Sequence, residues 1–76
     1  MIYNEFVMKE YMTVRNLHIF REVCSEMSMS KAAEKLDLAQ PAVSLAVKEL
    51  EEYCHVRLFE RIGRRIFLSE AGETLL

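Results

Sequence analysis

The sequence predicts a mainly α-helical fold with one small β-hairpin, and three observations carry that prediction. Residues 28–50 (SMSKAAEKLDLAQPAVSLAVKEL) hold two stretches of helical periodicity, split by a short break and a proline. Residues 56–61 (VRLFER) and 65–68 (RIFL) are two short runs of β-forming residues with a glycine between them. The chain has 76 residues, of which 51% are hydrophobic, which suits one small core.

Taken in order, residues 1–11 (MIYNEFVMKEY) offer a helical stripe through Tyr3, Val7 and Tyr11, or through Ile2 and Phe6. Both a lengthened first helix and a frayed tail fit this segment. Leu17, Phe20, Cys24 and Met27 then form the expected core stripe of a first helix. A second helix follows, capped by the hydroxyl of Ser28 or Ser30, with Met29, Ala32, Ala33 and Leu36 on its apolar face. The small side chains of Ala32 and Ala33 let another helix axis come close. Residues 37–40 break the period, and Pro41 is tolerated only in the first turn of a new helix, where no backbone donor is needed. That third helix turns Val43, Val47 and Leu50 inward. A hairpin follows, with Ile62-Gly63-Arg64 as the connection and Gly63 free to take a positive φ. Ser69 is placed to cap a last helix whose early glutamates, Glu70 and Glu73, suit the helix dipole.

Two helices joined by a short connection form a helix-turn-helix, a device for reading DNA. With Val43, Val47 and Leu50 inside, the third helix leaves Gln40, Pro41, Ser44, Leu45 and Lys48 on its other sectors. Its first turns are the end that a recognition helix presents to the major groove. There Gln pairs with adenine, Ser donates or accepts, and an aliphatic side chain touches a thymine methyl. On spacing alone, an ordinary solvated face in a helical bundle fits equally well. The hairpin shifts the balance. Arg57, Arg61, Arg64 and Arg65 stand against the single acid Glu60, giving a basic wing suited to phosphates or a narrow minor groove.

The segments AAEKL, AQPAVS, KELEE, VRLFER, GRR and LSEAGE occur in the order and spacing of one family. Over residues 13–76 the chain resembles the N-terminal DNA-binding domain of LysR-type transcriptional regulators. The resemblance implies a winged helix-turn-helix over residues 12–68, the start of a linker helix over residues 69–76, and an extension over residues 1–11. It implies DNA contacts by Gln40, Pro41, Ser44 and Arg64, to which the residue chemistry adds Leu45, Lys48, Arg61 and Arg65. It also implies a homodimer on double-stranded DNA for the full-length regulator, with an effector-binding domain beyond the linker that is expected to be absent from these residues. A weak dimer or a monomer is expected for the chain itself. Four positions depart from the family pattern. Ala39 stands for a capping Ser, Leu45 for a frequent Arg, and Met27 and His55 for common Gly residues.

Net charge, −2 at neutral pH, is low for a nucleic-acid-binding domain. The distribution softens this, because Glu49, Glu51 and Glu52 cluster at the far half of the third helix while the arginines gather on the wing. Two alternatives remain at this level: a winged module for protein contacts that uses this acidic face, and the DNA-binding half of a molybdate-responsive-type regulator. Cys24, Cys54, His18 and His55 show no zinc spacing, so no metal is expected. No cofactor motif, glycine-rich phosphate loop or activated nucleophile is present, so no enzyme is expected. No run of about 18 apolar residues exists, and no basic leader precedes an apolar block, so a cytoplasmic chain is expected.

Overall fold

The structure, a computed structural model, describes residues 5–76, with side chains from Lys9 onward. Three helices precede a hairpin and a short fourth helix: α1 Glu5–Glu26, α2 Met29–Leu36, α3 Gln40–Cys54, β1 Phe59–Ile62, β2 Arg65–Leu68 and α4 Glu70–Leu75. Helix α1 runs unbroken from Glu5, so residues 5–11 continue the first helix. Ile2 and Tyr3, and the side chains of Phe6 and Val7, lie outside the described residues, while Tyr11 is exposed.

The core sits where α1, α2 and α3 meet. Ile19, Phe20 and Val23 reach it from α1, Ala32 and Ala33 from α2, and Val43, Ala46, Val47 and Leu50 from α3. Burying side chains of the size of Phe20 or Leu50 contributes about 1.5–3 kcal/mol each. The inward face of α1 differs from the expected stripe. Leu17 and Cys24 only flank the core, and Met27 is 41% exposed. The reason is that α1 ends at Glu26 and Met27 turns out of it at φ +49, so the period stops one residue short. Burial pushes the Cys24 thiol pKa up.

Asn16, on the same α1 face, is a buried polar residue whose amide donates to Glu49 Oε1 at 3.4 Å. Its own Oδ1 has no hydrogen-bond partner among the described residues. On the opposite side Lys35 of α2 reaches Glu22 (3.0 Å) and Glu26 (3.6 Å) of α1, a surface clamp between the two helices. The hydrogen bond to Glu22 leads the causes that raise the Lys35 pKa.

The hairpin is shorter than expected. β1 and β2 pair antiparallel with Phe59 opposite Leu68 and Ile62 opposite Arg65, which leaves Gly63-Arg64 as a two-residue turn. Gly63 takes φ +64 and Arg64 does not turn positive, the pattern of a tight hairpin turn with glycine first. Residues 56–58 are not strand. The backbone of Leu58 is drawn inward instead, its N–H donating to Glu51 Oε2 at 2.7 Å and its carbonyl accepting from Ser69 N–H at 2.9 Å. Leu58 is thereby fully buried, and Phe59 stacks at a tilt on Phe20 with ring centroids 5.5 Å apart. Gly72 lets α4 close over this loop, since a Cβ there would run into the Leu58 carbonyl.

Candidate nucleic-acid interface

Helix α2 starts at its cap, Ser28, whose hydroxyl accepts from the Lys31 N–H at 3.2 Å. It ends with Asp37 in the left-handed region at φ +57, and the turn of residues 37–39 delivers the chain to α3. Ala39 occupies the N-cap of α3 without a side-chain bond, and Pro41 lies in the first turn. Gln40 and Pro41 are exposed there, and Leu45 (55% exposed) and Lys48 continue the same outer side of the helix. Ser44 is half-buried, its hydroxyl 4.0 Å from Met29 Sδ, a weak contact that leaves most of its hydrogen-bonding capacity unused.

The wing returns to this outer side. One cleft is lined by Gln40, by Arg61, Gly63, Arg64 and Arg65 of the wing, and by residues 27–30 at the start of α2. A second cleft joins Ser44 and Lys48 of α3 to Arg57 and Arg61. Tertiary structure thus brings Gln40 together with Arg61, Arg64 and Arg65, and Ser44 and Lys48 together with Arg61. Pro41 and Leu45 line neither cleft. Sequence reasoning did not place residues 27–30 beside the wing, because no local pattern tells which helix end a later hairpin approaches. Arg57 was legible only as a wing charge, since its position depends on the loop that replaces the first half of the expected strand.

The acidic cluster is largely used inside the domain. Glu51 accepts the N–H groups of Leu58 and Phe59 at 2.7 and 3.4 Å, and Glu49 holds Asn16. Only Glu52 of the three is exposed. Among the described residues, no three His, Cys, Asp or Glu side chains are grouped to hold a metal ion. No described helix is long and apolar enough to cross a membrane.

An exposed helix-turn-helix face flanked by an arginine-bearing wing is the geometry on which comparison with known proteins turns. Residues 14–73 match the family described as bacterial regulatory helix-turn-helix protein, lysR family. The chain belongs to the LysR family. It is 44% identical over 62 residues to the RuBisCO operon transcriptional regulator of Allochromatium vinosum, covering 82% of this chain and 20% of that protein. It is 46% identical over 65 residues to the HTH-type transcriptional regulator CfxR of Cupriavidus necator, covering 86% of this chain and 20% of the relative. The chain therefore spans about a fifth of the length of these LysR relatives. A LysR-family transcriptional regulator from Eggerthella lenta superposes with a TM-score of 0.76 at 37% identity, over 79% of this chain and 86% of that one. The CbnR DBD in its complex with DNA superposes with a TM-score of 0.77 at 35% identity, over 82% of this chain and 71% of that one. The fold is the winged helix-turn-helix of LysR DNA-binding domains.

Proposed function

We propose that this LysR-family domain binds double-stranded DNA in a sequence-specific manner and regulates bacterial transcription from the cytoplasm. The observation that carries the reading is the convergence of Gln40, Ser44 and Lys48 with Arg61, Arg64 and Arg65 on one exposed side. Helix α3 enters the major groove with Gln40, Pro41, Ser44 and Leu45 toward the bases and Lys48 toward phosphate. The wing lays Arg61, Arg64 and Arg65 on the adjoining minor groove or its phosphates. The relatives named above are transcriptional regulators, and the CbnR DBD was solved on DNA, which supports the same partner here. No catalytic step belongs to this reading.

In this proposal residues 12–68 form the DNA-reading unit, residues 69–76 begin a linker helix, and residues 1–11 are an extension. A full-length regulator would act as a homodimer with an effector-binding domain beyond the linker. A protein-contact module using the acidic face is disfavoured, because Glu49 and Glu51 already serve Asn16 and the Leu58 loop. Gel shift against genomic fragments across a salt series tests the reading, and Gln40→Ala sharpens it. The substitution is expected to cost about 1–3 kcal/mol on the selected site and to relax preference at one base pair. Equal loss on selected and random DNA would make Gln40 a phosphate contact, and no loss would remove it from the interface.

A further inference from the structure

We infer that Arg57, outside both the recognition helix and the hairpin strands, is a pre-positioned anchor for one backbone phosphate bordering the major groove. The inference rests on the DNA-binding reading and adds to it the residue that sets the register of α3. The backbone around Arg57 is held from two sides. Its carbonyl accepts the Ser69 hydroxyl at 2.5 Å, and the next N–H, that of Leu58, donates to Glu51 Oε2 at 2.7 Å. Leu58 itself is fully buried. The Arg57 Cα is thus tied at once to α3, through Glu51, and to the start of α4, through Ser69.

The side chain is exposed and lines an open cleft of about 420 Å³ with Ser44, Lys48 and Arg61. Three cations and a hydroxyl therefore face one space. Among the described residues, Glu51 is the only carboxylate lining that cleft, and its Oε2 already accepts two backbone N–H groups; Glu52, Glu60 and Glu70 border Arg57 only on other sides. Among the described residues, the ion pairs are those of Lys35 with Glu22 and Glu26, and none involves Arg57. An unneutralised cationic cleft beside the recognition helix is chemically complementary to a phosphodiester. A guanidinium suits that anion best, because its fork donates two parallel hydrogen bonds. Anchoring the main chain beforehand limits the ordering cost of binding. A contact fixed to α3 in this way carries no sequence information and sets orientation instead.

The test uses the 76-residue chain and a duplex selected by gel shift, with fluorescence anisotropy across a salt series and phosphate-ethylation interference. Arg57→Ala is expected to weaken selected and random DNA by the same factor, roughly 10-fold, and to lower the log–log salt slope by about one. One interfering phosphate should vanish from the footprint while the others persist. Arg57→Lys should keep the slope and recover only part of the affinity. Thermal melts should match the wild type, because only the Arg57 main chain holds the fold. If Arg57→Ala proves unfolded, Arg57→Gln takes its place in every measurement. Unchanged affinity and an unchanged footprint, with wild-type binding intact, would overturn the anchor alone. A wild-type chain that binds no duplex even at low salt would overturn the DNA reading itself.

Discussion

Met27, Asp37 and His55 each hold a left-handed backbone, at φ +49, +57 and +58, and each follows the last residue of a helix. Asp adopts this region comparatively easily, whereas the Met27 side chain has no polar group to offset the steric cost of its Cβ, and only its backbone N–H is bonded, donating to the Val23 carbonyl at 2.7 Å. His55 closes α3 by donating its N–H to the Glu51 carbonyl, so the conformation serves the helix end despite that cost. At the other end of α3, Ala39 leaves the first N–H groups without a side-chain acceptor. Two substitutions follow at this scale. Ala39→Ser should raise stability by about 0.5–2 kcal/mol by capping α3, and His55→Gly by about 1 kcal/mol by relieving the left-handed cost. Urea unfolding would show both as a higher midpoint at constant slope. An unchanged midpoint for Ala39→Ser would mean that solvent already satisfies those N–H groups as well as a hydroxyl does.

At the scale of elements, α3 was legible almost to the residue. Pro41 marks its start, and Val43, Val47 and Leu50 all lie at or below 3% exposure. The spacing signal was strong because a core on one side imposes the helical period. The hairpin was legible as a hairpin but not in its extent. Val56 and Leu58 have the composition of a strand, yet Glu51 and Ser69 compete for the Leu58 backbone and pull it off the ladder. What the short hairpin retains is its tip, where Gly63 turns and Arg64 projects into solvent. Arg64→Ala should weaken binding to most sequences and lower the log–log salt slope by about one if it meets a phosphate. If Arg64 enters the minor groove, the loss should be largest where A·T tracts narrow that groove. Equal affinity for both DNA types at every salt concentration would leave the tip a mere closure of the wing.

At the scale of the whole molecule, the formal charge of −2 opposes long-range attraction to DNA, so non-specific affinity should be low and binding should depend on local complementarity. One recognition helix reads few base pairs, and helix-turn-helix proteins reach specificity by pairing half-sites about one helical turn apart. The pairing surface available here is small. α4 spans six residues, and Leu75 at its end and Leu76 just after it are exposed apolar side chains, 37% and 61% accessible. A monomer or weak dimer is therefore expected for the 76-residue chain in dilute solution, with a palindromic duplex favouring the dimer. Sedimentation equilibrium with and without such a duplex checks this. A tight dimer without DNA would point to α1, where Tyr11 and Val14 are 71% and 67% exposed, as a further interface.

The sequence by itself determined the two helices of the reading motif, the basic hairpin after them, and the side of α3 away from the core, where Gln40, Pro41, Leu45 and Lys48 are exposed and Ser44 is half-buried. Each of these follows from local periodicity, a proline or a capping hydroxyl, signals that need only neighbours within a turn or two. The side of α1 that meets the core, the use of Glu49 and Glu51 as internal acceptors, and the meeting of the wing with the start of α2 were decided by tertiary structure. So was the place of Arg57. These features depend on contacts between residues far apart in the chain, such as Asn16 with Glu49 and Arg57 with Ser69. A charge looks the same in sequence whether it faces solvent or accepts a buried N–H, and only packing tells the two apart.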